Sequence, residues 1–274
     1  ALQQYCHEFR GLSRPVDHYI IGAGFQILLY HICSLFKKDN LVGIEEGGFK
    51  QAEAVFHDCH MQVVKLPVDD QGITIEGLQR TNLKLLYLNS SSGGYHGHPI
   101  KQQRRLEIIN YARANNVYII EDDHNGELKF NSKPIDAMSK LDNDRIFYIG
   151  SFSKLLLPSI RISYMVLPNN LVSDFLLKVN DYHQTASKLE QLALAMYIED
   201  GQLARHLKRL RKHYRFKGNH LLNELKKAFP NHHFELYETA LKITMAIEDD
   251  LIDYYIETAK RNTINVTKNS SNQL

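Results

Sequence analysis

Short apolar runs alternate with helical patterns from about Tyr19 to Pro168. That alternation builds an α/β unit with a mostly parallel sheet. Strands are predicted at 19–21, 41–44, 62–66, 83–88, 117–120, 146–149 and 162–167, the last closed by Pro168. The first leads through Gly22-Ala23-Gly24 into an apolar helix over 25–36, and further helices are predicted at 51–57 and, rich in charge, at 100–115. After Pro168 the pattern changes. Residues 171–197 and 202–227 read as long helices with no strand between them, 233–236 and 241–247 as strands, and 251–260 as a helix. A helix before Pro15 is expected to pack with this second region. The organisation that follows is a large domain over 17–170, with 1–16 and 171–274 forming a smaller α+β domain and interdomain helices.

A chain of 274 residues is long enough for one large domain or two ordinary ones. With 33 basic against 31 acidic residues the net charge is +2, so the whole chain carries no field that would select nucleic acid or a membrane surface. No apolar run reaches the length of a transmembrane helix. Cys6, Cys33 and Cys59 are too few and too irregular for a disulfide framework and fit a reducing cytoplasm. The chain opens at Ala1 with a helix already in progress and closes on the polar tail 265–274, so sequence is expected to be missing at both ends.

The densest chemistry lies in Gly150-Ser151-Phe152-Ser153-Lys154-Leu155-Leu156-Leu157-Pro158-Ser159-Ile160-Arg161. A lysine just past an apolar strand can form a Schiff base with an aldehyde cofactor if desolvation or a nearby cation lowers its pKa. Phe152 and Leu155–Leu157 supply apolar surroundings, and Arg161, seven residues on, supplies charge. Ser151, Ser153 and Arg161 suit a phosphate, which takes hydroxyl donors and a bidentate guanidinium. Taken alone, Lys154 reads sooner as a surface lysine after a buried strand. Its neighbours at the strand ends alter that balance, because sites in open α/β sheets gather there. The turn Gly22-Ala23-Gly24-Phe25 offers free N–H groups to a phosphate, although a plain tight turn reads equally well. Asp122 closes a buried strand, where a carboxylate needs a partner such as a protonated pyridine nitrogen; a loop or cap role is as good a reading. Phe49, after Gly47-Gly48, can stack on a ring or simply pack.

Three segments together, Glu121-Asp122-Asp123 after its strand, Ser151-Phe152-Ser153-Lys154, and 158–168 from Pro158 through Arg161 to Pro168, resemble fold-type I pyridoxal-phosphate enzymes. Within that class the chain is most similar to the aminotransferase-like domain of MocR/GabR-type regulators of the GntR superfamily. The likeness runs from about Leu2 onward, is most specific over 83–168, and includes a long interdomain helix beginning at Gly201. The resemblance implies an aspartate aminotransferase-like α/β fold holding pyridoxal 5'-phosphate. Lys154 would bond the cofactor aldehyde and Asp122 would face the pyridine nitrogen. Ser151 and Arg161, with Gly24 and Phe25, would hold the phosphate, assisted by Ser153, and Phe49 would stack on the ring. His124 stands where the family usually has a tyrosine that bonds the cofactor's phenolic oxygen. The loop 89–99 departs from the family's Pro-Thr-Gly or Pro-Ser-Gly ending and shows no evident asparagine for the same oxygen. The family arginine that clamps a substrate carboxylate lies in a strand beyond this chain, and Arg261 does not match it.

Three functions follow. In the first, this is the effector domain of a cytoplasmic, homodimeric transcription regulator that senses an amino compound at Lys154 and meets DNA only through a domain outside this chain. In the second, it is a free-standing aminotransferase moving an amino group between an amino acid and a 2-oxo acid. In the third, the cofactor site has decayed and the fold serves dimerisation. The first is expected, because the motifs stand closest to the regulators. His57-Asp58-Cys59-His60 reads as a polar helix end rather than a metal site. The basic residues from Arg205 to Lys217 read as a solvated helix face with Leu203, Leu207, Leu210 and Tyr214 behind it.

Overall fold

The computed structural model describes residues 1–92, 99–123, 126–131 and 136–268. The elements, in chain order, are α1 (Leu2–Arg10), β1 (Tyr19–Gly22), α2 (Phe25–Ser34), β2 (Leu41–Glu45), α3 (Lys50–Asp58), β3 (Gln62–Leu66), β4 (Val68–Asp69), β5 (Gly72–Ile73), α4 (Ile75–Gln79), β6 (Leu85–Asn89), α5 (Gln102–Ala114), β7 (Tyr118–Asp122), β8 (Ile146–Ser151), β9 (Ser163–Val166), α6 (Val172–Val179), α7 (Lys188–Glu199), α8 (Gln202–Ala228), β10 (Phe234–Tyr237), β11 (Lys242–Met245) and α9 (Ile252–Arg261).

Seven strands form one sheet in the order β1-β9-β8-β7-β6-β2-β3. β9 runs antiparallel to both its neighbours, and the pairs from β8 across to β3 are parallel. The central sheet is mostly parallel, as expected. Side chains alternate along each strand, and helices cover both faces. Leu85, Tyr87, Phe147 and Ile149 pack under α2, α3 and α6. Leu86, Leu88, Ile119 and Ile146 meet Ile108, Ile109 and Ala112 of α5 on the other side. A third cluster joins Tyr5 and Cys6 of α1 to Tyr148 and Tyr164 of the sheet and to Leu194, Leu203 and Leu207 of α7 and α8. β10 and β11 form a separate antiparallel hairpin.

The single helix expected over 171–197 is two helices, α6 and α7, separated by residues 180–187. Ser187 caps α7 by accepting the Glu190 N–H at 3.5 Å, and Gln184 Oε1 accepts the Ala186 N–H at 2.9 Å. Such side-chain bonds offer the backbone an alternative to continuing the helix. Thr185 Oγ1 accepts the Ala23 N–H at 3.0 Å, which holds the interruption against the start of α2. Gly201, at φ 68°, makes the turn between α7 and α8. The small hairpin β4–β5 and the short α4 were not foreseen.

Candidate functional site

The polar ends of the central strands remain in the sheet ladder: Asn89 pairs with Asp122, and Asp122 with Ile149. That pairing brings the last residues of β6, β7 and β8 to one edge. A cavity of about 200 Å³ opens there, lined by Phe25, Phe49, Asp122, Ser151, Ser153, Lys154 and Arg161, together with Gln26, Gln51, Ile149, Gly150 and Ser163. Gly24 meets Arg161 directly behind it. Of the residues singled out in the sequence, only His124 lies outside the described residues, as does most of the altered loop, 93–98.

Asp122 is buried, at 1% exposure. The Tyr87 hydroxyl donates to its Oδ2 at 2.5 Å. Lys154 follows β8 in the segment anchored by Phe152, whose N–H donates to the Ile162 carbonyl at 3.0 Å. The Lys154 side chain as a whole is exposed, yet desolvation at the amine pushes its pKa below the ordinary lysine value while the Asp122 charge pulls it back up. The Ser151 Oγ accepts from the Ser163 hydroxyl at 3.0 Å and from the Ser153 N–H at 3.3 Å. The Ser153 Oγ is buried and has no hydrogen-bond partner among the described residues. Gly24 sits at φ 103°, and a Cβ there would fall 2.4 Å from Arg161 Nη2. Glycine is therefore what lets the guanidinium lie against the start of α2, whose first N–H groups lack helical partners. Phe49 meets the Phe25 ring edge-on, with centroids 5.6 Å apart.

Two residues escaped the sequence reading. Tyr87 is a mid-strand aromatic that reads as core and gives no signal of its hydrogen bond. Glu45 is more instructive: it ends β2 as Asp122 ends β7, and the rule applied to Asp122 would have found it. Burial pushes its carboxyl up to about 8; the Asn89 N–H opposes that rise, and Asp122 adds to it.

The surroundings are braced from behind. Arg10 of α1 is buried and ion-paired with Asp123, while its Nε donates to the Tyr148 hydroxyl at 2.9 Å. Tyr148 in turn donates to Asp123 Oδ2 at 3.2 Å. From α8, a ring nitrogen of His206 bonds the Leu155 carbonyl at 2.9 Å, and Arg211 Nε donates to the Glu127 carbonyl at 2.6 Å. Arg215 donates to the Phe130 carbonyl. One helix thus touches both the segment carrying Lys154 and the segment that follows Asp122.

A doubly covered, mostly parallel sheet with a lysine, a buried carboxylate and an arginine at one edge defines the class of fold-type I aminotransferase-like domains. The chain matches the aminotransferase class I and II family over residues 1–258 and belongs to that family. It is 35% identical over 232 residues to the uncharacterized HTH-type transcriptional regulator YdeL of Bacillus subtilis, covering 84% of this chain and 50% of that protein. It is 30% identical over 216 residues to the probable rhizopine catabolism regulatory protein MocR of Rhizobium meliloti, covering 78% of this chain and 44% of that protein. The chain spans about half the length of the curated relatives it matches. The crystal structure of Pyrococcus horikoshii kynurenine aminotransferase in complex with PMP superposes with a TM-score of 0.82 at 23% identity, covering 98% of this chain and 70% of that one. The resemblance to MocR-type regulators read from the motifs is borne out by these relatives.

Proposed function

We propose that this chain is the pyridoxal-phosphate-binding, aminotransferase-like effector domain of a transcription regulator. An amino compound would be sensed by competing with Lys154 for the cofactor aldehyde. The observation that carries the reading is the convergence of Lys154, Asp122 and the Arg161–Gly24 pair on one cavity.

The residues fit the cofactor. The Ser153 hydroxyl is buried without a partner among the described residues, Gly24 lets the Arg161 guanidinium lie against the start of α2, and desolvation lowers the Lys154 pKa. When bound, pyridoxal phosphate supplies an aldehyde that condenses with amines and a ring that withdraws electrons. Lys154 holds the nucleophilic amine, because burial favours the unprotonated nitrogen. Asp122, oriented by the Tyr87 hydroxyl, would hold a proton on the ring nitrogen. Arg161, Ser151 and Ser153, with Gly24 and Phe25 at the start of α2, would bind the phosphate. Phe49 would cover the ring; His124, which the sequence sets where the family has a tyrosine for the phenolic oxygen, lies outside the described residues.

The regulator reading is preferred to a free-standing aminotransferase because relatives at 30% identity and above are named as regulators. DNA contact then belongs to a part of the protein outside this chain. The division into 17–170 and 1–16 with 171–274, a cytoplasmic location and a homodimer complete the proposal. The dimer is supported by one apolar face of α7, where Leu189, Leu192 and Met196 are 78%, 65% and 64% exposed.

Titration with pyridoxal phosphate, followed by absorption, tests the reading. A new band in the parent that is absent from Lys154→Ala is expected. A folded parent with no new band refutes it.

A further inference from the structure

Ser163 and Ser151 stand directly opposite each other on the antiparallel strands β9 and β8, so their side chains leave the sheet on the same face. On its other side Ser163 pairs with Gly22 of β1, the residue that opens the turn into α2. One row of the sheet, from Ser151 through Ser163 to Gly22, therefore joins the segment that carries Lys154 to the segment that carries Gly24. Ser163 is 1% exposed and lines the cavity. Two residues before it, Arg161 takes φ 46°, a left-handed conformation uncommon outside glycine. The Phe152 N–H donates to the Ile162 carbonyl at 3.0 Å and ties that bend to the Lys154 segment.

We infer that Ser163 is a positioning residue at the anion end of the cavity, where it turns the Ser151 hydroxyl proton toward the cofactor phosphate. The inference rests on the cofactor reading above. A serine hydroxyl has one proton to donate and two lone pairs that accept. The Ser151 Oγ accepts from the Ser163 hydroxyl at 3.0 Å and from the Ser153 N–H at 3.3 Å, which engages both lone pairs. Its own proton donates to no acceptor among the described residues and is left for the cavity. Without Ser163 one lone pair falls free, and the Ser151 hydroxyl can turn away from the ligand. The Ser153 Oγ, buried and without a partner among the described residues, adds a second hydroxyl at the same end, and Arg161 adds the positive charge. Ser163 thus acts on the binding of the phosphate and not on the amine of Lys154.

Absorption titration with pyridoxal phosphate and with pyridoxal, which lacks the phosphate, separates the two ends of the cavity. Ser163→Ala should lose about tenfold in affinity for pyridoxal phosphate, the effect of one misdirected hydrogen bond to a charged group, and keep the parent's affinity for pyridoxal. Ser163→Thr keeps a hydroxyl on a strand, where β-branched residues are favoured, and should recover most of the loss. Equal pyridoxal phosphate affinity in the parent and Ser163→Ala overturns the inference. So does an equal loss for both compounds, which is what a collapsed cavity would give. The cofactor-free chain supplies a second readout. Inorganic phosphate, titrated by phosphorus-31 NMR, should bind Ser163→Ala about tenfold more weakly than the parent. An unchanged Ser163→Ala in a chain that binds pyridoxal phosphate overturns this inference alone. Weakened phosphate binding by Ser163→Ala, in a chain that forms no band with pyridoxal phosphate, supports the hydroxyl row and overturns the cofactor reading.

Discussion

Replacing Glu45 by glutamine should make the protein more stable, and increasingly so as the pH rises. The carboxyl moves from an ordinary value of 4.5 to about 8 on folding. Between those values the folded chain keeps a proton that the unfolded chain has released, so stability falls as pH rises through the window. At about 1.36 kcal/mol per pKa unit, the whole displacement costs about 5 kcal/mol above pH 8, and about 3 kcal/mol of that is present at pH 7. Glutamine is close to the neutral carboxyl in shape and carries no charge, so it escapes the penalty. Urea unfolding of both proteins across about pH 4.5 to 9 measures the difference, and titrations elsewhere in the chain cancel from it. Near pH 4.5 the two should lie within about 1 kcal/mol, the net worth of one altered hydrogen bond. The gap should then widen in favour of glutamine and level off above 8. A gap that stays constant with pH, or grows in favour of the parent, refutes the placement of a protonated Glu45 in the fold.

Removing the Asp122 charge should lower the Lys154 pKa further, since that charge is what opposes desolvation there. In the cofactor-free chain, acylation of Lys154 by an amine reagent should therefore begin at lower pH in Asp122→Asn than in the parent. Arg10→Met leaves Asp123 buried and without its cation, and should cost about 3–5 kcal/mol in denaturant unfolding. Adding Asp123→Asn should recover part of that loss. Gly24→Ala adds about 1–3 kcal/mol of backbone strain and drives a methyl toward Arg161. Its pyridoxal phosphate affinity, read by absorption titration, should fall at least about tenfold.

The large sheet was legible because its strands are apolar runs closed by polar residues, and alternation at that scale admits few topologies. Its strand ends were not. Residues 85–89, 118–122 and 146–151 extend past the apolar runs because ladder pairing continues through Asn89, Asp122 and Ser151. The break between α6 and α7 was hidden for the opposite reason. Its apolar spacing reads as continuous helix, and what ends the helix includes a contact from Thr185 to Ala23, 162 residues away in the chain.

The same contrast runs through the site. Lys154, Asp122, Ser151, Arg161 and Gly24 could be named because each is a polar or glycine residue at the end of an apolar run, where a buried carboxylate or an exposed amine demands an explanation. The groups that set their charges carry no such mark. Tyr87 is polar only at its hydroxyl, and Arg10 lies in a short N-terminal helix far from the motifs. His206 and Arg211 belong to a basic run that reads as solvated, yet they bond the Leu155 and Glu127 carbonyls. Through these bonds α8 joins the segment after Lys154 to the segment after Asp122, so a displacement of that helix cannot leave the two segments independent. A chemical motif marks the groups that would touch a ligand. The field in which they work comes from residues that packing delivers from distant parts of the chain.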